Sequence, residues 1–427
     1  MLRRACPGAF LCRGGVMKPG KTGACRPGER AGREKRGESR GSLALEAGEC
    51  YNFLKTPGKG ERMDSRLNGK ISTGRGGGKL MHIELMRALC ITAVLLYHSK
   101  AAQQLMQSAL PHSAQFRAGL VLQLALGCCI FPFFMISGAL LLERDESPGQ
   151  IFRKRVLKTL AVLLLISLFY YFFYSMNGGA LRPVYFAELV YSSSLSVQLW
   201  FLYAYLGFLL MLPLLRPMAQ YMQNRHFIYL FGLALIFRVL LPFAECFLMG
   251  EQYRLNEELL LPAVFCDVIF FPLMGYYIEK RLPERYYTKK NAFIAVSGAV
   301  IMLILTAAAA ELRSELTGES GMESAARFRF AVILPLSTSL YFALKCLFVH
   351  REAGKRTVRL LSFLGGCSFG IFLFESALRQ LMLPLRTALE TLMPPFPAAL
   401  IWAAAVYLTG LAGVGLLRLI PGIKKFI

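Results

Sequence analysis

A guanidinium and an imidazole lie eleven residues apart in one apolar stretch, Arg87 and His98 of HIELMRALCITAVLLYHS (residues 82–99). Eleven residues make close to three helical turns, so both side chains share a face, about 16 Å apart along the axis. An ionisable group inside a membrane span costs free energy and is usually retained for function. Of the five histidines, His98 alone falls well inside a predicted span. An imidazole with an ordinary pKa of about 6.5 can accept a proton at physiological pH. A guanidinium can hold phosphate through its planar fork. The spacing therefore suggests anion capture at one membrane surface and proton transfer deeper in.

Those two groups need a scaffold, and the composition says which kind. The chain has 427 residues, 55% of them hydrophobic. Apolar blocks of about twenty residues, the length a helix needs to cross a bilayer, recur from residue 83 to 420. The expectation is an all-α, polytopic membrane protein. Ten spans are predicted, near 83–104, 119–142, 157–176, 196–213, 227–248, 259–279, 291–311, 328–349, 361–385 and 397–419.

Lysine and arginine set the orientation. They crowd the connections after spans two (Arg144, Arg153, Lys154, Arg155, Lys158), six (Lys280, Arg281, Arg285, Lys289, Lys290) and eight (Arg351, Lys355, Arg356, Arg359). The alternate loops are poorer, with Lys100 and Arg117, then Arg182, then Arg254. Between spans seven and eight, three arginines are offset by four glutamates. Both termini are expected to be cytoplasmic, in the plasma membrane of a bacterial cell.

The net charge is +23, and residues 1–80 hold 18 Lys/Arg against 7 Asp/Glu. That stretch has too little apolar surface to order itself and reads as a disordered basic tail. It is either an arm for anionic lipid headgroups or an over-extended start before Met63 or Met81. Residues 81–427 form the membrane domain. Basic residues flanking spans do not call for a nucleic-acid partner. The eleven cysteines include no CxxC pair, so neither a metal site nor a structural disulfide is expected.

Further polar residues can be placed by depth. Arg238 interrupts span five, Asp267 span six and Glu375 span nine. With His98 they are expected to form one buried cluster of both signs, whose bland alternative is separate packing pairs. Arg155 and Lys158 precede span three at the level of Arg87, and together could make a basic mouth for a phosphate-bearing ligand. Ser137 and Gly138 in FPFFMISG (131–138) permit close helix approach. Trp200 and Tyr203 in QLWFLY (198–203) suit an interfacial aromatic belt.

Taken together, these segments resemble the membrane-bound acyltransferase family 3, the ten-span O-acyltransferases of surface glycans. The resemblance covers residues 82 to about 420. It rests on Glu84, Arg87 and His98 in the first helix and on FPFFMISG in the second. It also rests on the basic Arg155–Lys158 segment, QLWFL at 198–202 and SFGIFLFE at 368–375. Three positions depart from the family pattern. Lys158 stands for a second Arg, Gln198 for a His before Leu-Trp, and Glu375 for a late His.

The resemblance implies transfer of an acyl group, acetyl above all, from cytoplasmic acyl-CoA to a hydroxyl of a cell-surface carbohydrate or lipid-linked glycan. His98 would deprotonate the acceptor or carry the acyl group, with Glu375 orienting the imidazole. Arg87, Arg155 and Lys158 would hold the CoA phosphates and Ser137 would line the pantetheine path. Gln198, Trp200, Tyr203, Arg238 and Asp267 are candidates for the acceptor, the two aromatics by stacking on a sugar face. No metal is required. The rival reading is a transporter or flippase for a glycan or lipid-linked intermediate, since ten spans and buried charges fit that class too.

Overall fold

The computed structural model describes residues 81–422, except 111, 176–182, 193, 250–254, 257, 258, 260 and 350–353. The basic tail and the loop residues Arg182, Arg254 and Arg351 lie outside the described residues. Every described element is helical. The chain runs α1 Met81–His98, α2 Ala101–Gln107, α3 Ala114–Leu126 and α4 Phe131–Leu141. It continues through α5 Pro148–Ser175, α6 Pro183–Ser192, α7 Val197–Tyr221 and α8 Asn224–Leu248. Then come α9 Pro262–Phe265, α10 Asp267–Tyr276, α11 Lys289–Thr317 and α12 Gly321–Phe348. The last three are α13 Lys355–Leu381, α14 Leu383–Leu392 and α15 Pro395–Leu417.

Among the described residues, nine helical segments are long and apolar enough to cross a membrane. The predicted sixth span is the exception, for it is broken. Cys266 has an extended backbone (φ −84, ψ 105), separating α9 from α10, which runs on through a π-helical turn to Arg281. This is a multi-pass membrane protein. Large apolar side chains such as Leu165, Phe293 and Ile301 are exposed on its surface, facing where lipid lies.

Lipid tails are as apolar as leucine, so packing rather than water exclusion holds such helices together. Glycine matters most where α4 meets α10. A Cβ on Gly138 would overlap the Pro272 backbone, and one on Gly275 would overlap that of Met135. Each helix thus presents its glycine to the other's main chain. The close approach read from Ser137-Gly138 is found at Gly138.

Two local signals set the other boundaries that matter. Gly318, at φ +70, ends α11 in the left-handed conformation, and Ser320 with Glu323 opens α12 by a capping box. The connection between spans seven and eight is therefore a tight turn between helices longer than predicted. Lys100, also left-handed at φ 60, turns the chain from α1 into α2 just after His98.

Candidate active site

His98 is the last residue of α1, which packs along α13. Its Nδ1 lies 2.8 Å from Oε1 of Glu375, and the Glu375 side chain is fully buried while that of His98 is 22% exposed. Arg379, one turn along α13, places its Nε 2.5 Å from the same oxygen. With the carboxylate ionised, Nδ1 donates to it and Nε2 keeps its lone pair. That is the arrangement a general base needs, with a carboxylate fixing tautomer and ring orientation. Tyr97 packs edge-on against the ring.

The backbone that carries Glu375 is itself braced. Tyr170 of α5 donates to the Leu373 carbonyl at 2.8 Å and accepts from Gln198 at 2.8 Å. The Gln198 carbonyl accepts from Ser196 at 2.6 Å, and Tyr174 links Ser196 to Ser376. Gln198 is 1% exposed with both ends of its amide engaged. Gln198, expected among the acceptor ligands, is thus engaged in the hydrogen-bond chain behind Glu375.

At the other end of α1, Arg87 pairs with Glu84 at 3.2 Å. Arg155, in a π-helical turn of α5, donates twice to Glu146 at 2.9 and 2.8 Å. Arg216 of α7 holds the other side of that carboxylate at 2.8 Å and also bonds the carbonyls of Leu141 and Glu146. Arg155 first, then Arg216, holds the Glu146 carboxyl down at about 2. Tyr205 lies within reach of Ser137, Arg155 and Arg87, while the Ser137 hydroxyl donates to the Phe133 carbonyl at 2.8 Å. Arg87, Arg155 and Ser137 are therefore brought to one region, while Lys158 is exposed on the outside of α5. A cavity of about 720 Å³ opens beside them, lined by Glu143, Asp145, Glu146, Arg216, Gln220 and Tyr276 among others.

Between the two ends, the shared face of α1 is filled. Cys90, Ile91 and Val94 are buried, and Phe134, Phe201 and Phe372 pack ring against ring nearby. A ligand passing from Arg87 to His98 along that face would have to displace these side chains.

The expected four-residue cluster is two pairs. Arg238 donates to Asp267 at 2.6 Å and to the Val264 carbonyl at 3.0 Å, with its guanidinium 3.9 Å from the centre of the Phe330 ring. No described hydrogen bond or ion pair joins this pair to His98–Glu375. Val264 lies in the short helix before the break at Cys266, so Arg238 stitches the two halves of the sixth span. Arg238 and Asp267, expected at the acceptor site, thus contact each other and the Val264 carbonyl. Tyr203 gives its hydroxyl to the Val190 carbonyl at 2.8 Å, whereas Trp200 stands 44% exposed at the start of α7.

Sequence reasoning missed Glu146, Arg216, Tyr205 and Arg379. Only Arg379 carried a signal, its i,i+4 spacing from Glu375. It also missed His112, which meets Glu311 at 3.0 Å and Glu315 at 3.1 Å, in a spacing that could hold a metal ion. Arg117 already pairs with Glu311 there at 2.9 Å.

The bundle thus carries an imidazole paired with a carboxylate at one end of α1 and arginines paired with carboxylates toward the other. The acyltransferase domain model Acyl_transf_3 matches residues 82–418, and the chain belongs to that acyltransferase family. No curated protein and no solved structure matches it.

Proposed function

We propose that the protein transfers an acyl group, acetyl in the simplest case, from cytoplasmic acyl-CoA to a hydroxyl of a cell-surface carbohydrate or lipid-linked glycan. The observation that carries this reading is the His98–Glu375 pair at 2.8 Å within a chain of the acyltransferase family. His98 Nε2 takes the acceptor hydroxyl proton as the oxygen attacks the thioester carbonyl. The C–S bond breaks, the ester forms, and the imidazolium returns its proton to the departing thiolate. Glu375 stabilises that imidazolium, and Arg379 offsets the cost of burying the carboxylate.

Arg87 and Arg155 serve the donor's phosphates, with Arg155 exchanging Glu146 for phosphate or sharing it. For the thioester to reach His98, the side chains packed between it and Arg87 must shift, with Ser137 lining the pantetheine path so opened. Both termini are placed in the cytoplasm of a bacterial cell, with His98 in the outer half of its plasma membrane. The bilayer and the acceptor are the only partners this reading needs, and it needs no metal.

The decisive experiment is acyl transfer from labelled acetyl-CoA by the purified chain in lipid vesicles, with cell-envelope glycans as acceptor. Activity that disappears in His98→Ala supports the assignment, and full activity in that variant refutes it. The broken sixth span favours a second reading, since discontinuous helices line transporter sites. Glycan movement across vesicles without consumption of acetyl-CoA would decide for transport.

A further inference from the structure

Arg379 touches the His98–Glu375 pair with one nitrogen only. Its Nε lies 2.5 Å from the Glu375 oxygen that His98 Nδ1 meets at 2.8 Å, so imidazole and guanidinium are neighbours across a single atom. Nε is buried, but the side chain as a whole is 26% exposed. Among the described residues nothing accepts a hydrogen bond from either terminal nitrogen.

Arg155 shows the alternative. It commits Nε and a terminal nitrogen to the two oxygens of Glu146, at 2.9 and 2.8 Å. That two-pronged grip is the geometry a carboxylate selects from arginine. Arg379 does not adopt it, and the second oxygen of Glu375 is buried without a partner. Neutralising Glu375 therefore occupies one corner of the guanidinium and leaves two donor groups open beside the imidazole.

Acyl transfer makes a demand there that His98 and Glu375 do not meet. As the acceptor oxygen bonds to the thioester carbon, the carbonyl π pair moves onto the carbonyl oxygen. His98 has by then taken the acceptor proton and is matched by Glu375, so the new oxyanion has no counterpart. Inside a membrane bundle an unmatched charge is costly. A prearranged donor is most effective where water is excluded. With Arg379 the signs alternate, the guanidinium lying between carboxylate and oxyanion and the imidazolium against the carboxylate, and the charges cancel.

We propose that Arg379 is a catalytic residue whose terminal nitrogens hold the thioester carbonyl oxygen as it becomes an oxyanion, while Nε stays with Glu375. This rests on the acyltransferase reading above. The intermediate collapses when the oxyanion's electron pair re-forms the carbonyl and expels the CoA thiolate, which takes the acceptor's proton from His98. Arg379 keeps its own protons throughout, as a guanidinium does in proteins.

The test is steady-state kinetics of the full chain in lipid vesicles, with labelled acetyl-CoA and cell-envelope glycans. Arg379→Met should lower kcat by about 10²–10³-fold, the range for a lost oxyanion donor, with the acetyl-CoA KM unchanged. Arg379→Lys keeps a positive charge beside Glu375 but has no fork to serve two anions, and kcat should stay at least about tenfold below the parent. The Glu375→Gln background separates this role from mere neutralisation, because no carboxylate charge is left there to offset. Adding Arg379→Met to it should still lower kcat by at least about tenfold. That double variant buries no unpaired charge, so it keeps its fold even where Arg379→Met alone does not.

A double variant as active as Glu375→Gln overturns the proposal, as does parental turnover in Arg379→Lys. A loss confined to the acetyl-CoA KM assigns Arg379 to donor binding and overturns it too. No label transfer by the parent sinks the transferase reading together with this one. Transfer by the parent that survives Arg379→Met sinks this one alone.

Discussion

His98 with Glu375 and Arg238 with Asp267 each pair a basic side chain with a carboxylate across two helices of one apolar bundle, yet their surroundings differ. His98 keeps one ring nitrogen free and is 22% exposed, while its carboxylate is fully buried and braced by Arg379. Arg238 is itself the buried member, with a carboxylate, a carbonyl and an aromatic face around it. A guanidinium does not give up its proton in a protein, so the second pair can hold a shape but cannot move a proton. The difference lies in the chemistry of the basic member: only the first pair contains a side chain of a type that exchanges protons near neutral pH.

The comparison breaks most directly at the two carboxylate contacts. His98→Ala should lower acyl transfer by about 10²–10⁴-fold, the range for a lost general base. Its unfolding midpoint in detergent should stay near that of the parent. A loss of activity that merely follows loss of folded protein would erase the distinction between the pairs.

Asp267→Ala should do the reverse. Stranding a buried arginine costs about 3–5 kcal/mol, so the unfolding midpoint should fall sharply while turnover per folded molecule stays nearly constant. Replacing both members, Arg238→Met with Asp267→Leu, should recover most of that stability, because no unpaired charge remains. If turnover instead falls with folded protein intact, the stitch belongs to the acceptor site after all.

Glu375→Gln sharpens the first pair. The amide keeps the shape but cannot offset an imidazolium, so kcat should fall by at least about tenfold, or about 1.4 kcal/mol. The donor KM should not move, and a changed KM with constant kcat would assign Glu375 to binding.

The smallest effect is expected at Glu146, outside the spans. Its carboxyl is held near 2 by Arg155 and Arg216. A depressed carboxyl pKa stabilises the fold above the ordinary carboxylate range, and that contribution fades as pH falls toward 2. Glu146→Gln should therefore speed proteolytic nicking of the 142–148 loop a few-fold at neutral pH. Near pH 2 the variant and parent should converge, and an equal difference at both pH values would rule out the ion pair as the cause.

How far the residues alone reached depends on range. The spans could be read because twenty apolar residues need no partner to declare themselves. Helix breaks inside them could not. Cys266 adopts an extended backbone between two apolar runs with only Pro262 nearby, and Pro272 lies within α10 without ending it. The π-helical turns carrying Arg155 and Arg238 leave no sequence mark either. Depth along a span follows from counting residues, so His98, Arg238, Asp267 and Glu375 were identified one by one as ionisable groups within spans. Which of them touch depends on helix rotation and neighbour order, and those depend on contacts such as Gly138 against Pro272.

The amino-acid sequence by itself determined that this chain lives in a bilayer, that Arg87 and His98 share a helix face, and that Glu375 is a costly residue to bury. All three follow from local rules of length, period and solvation. Only the tertiary structure decided that Glu375 meets His98, that Arg238 bridges the two halves of a broken span, that Gln198 bonds Tyr170 and Ser196, and that Arg386 of α14 bonds the backbone beside the imidazole. Those are pairings between residues up to 287 positions apart, and in lipid the packing that selects them leaves almost no trace in hydropathy.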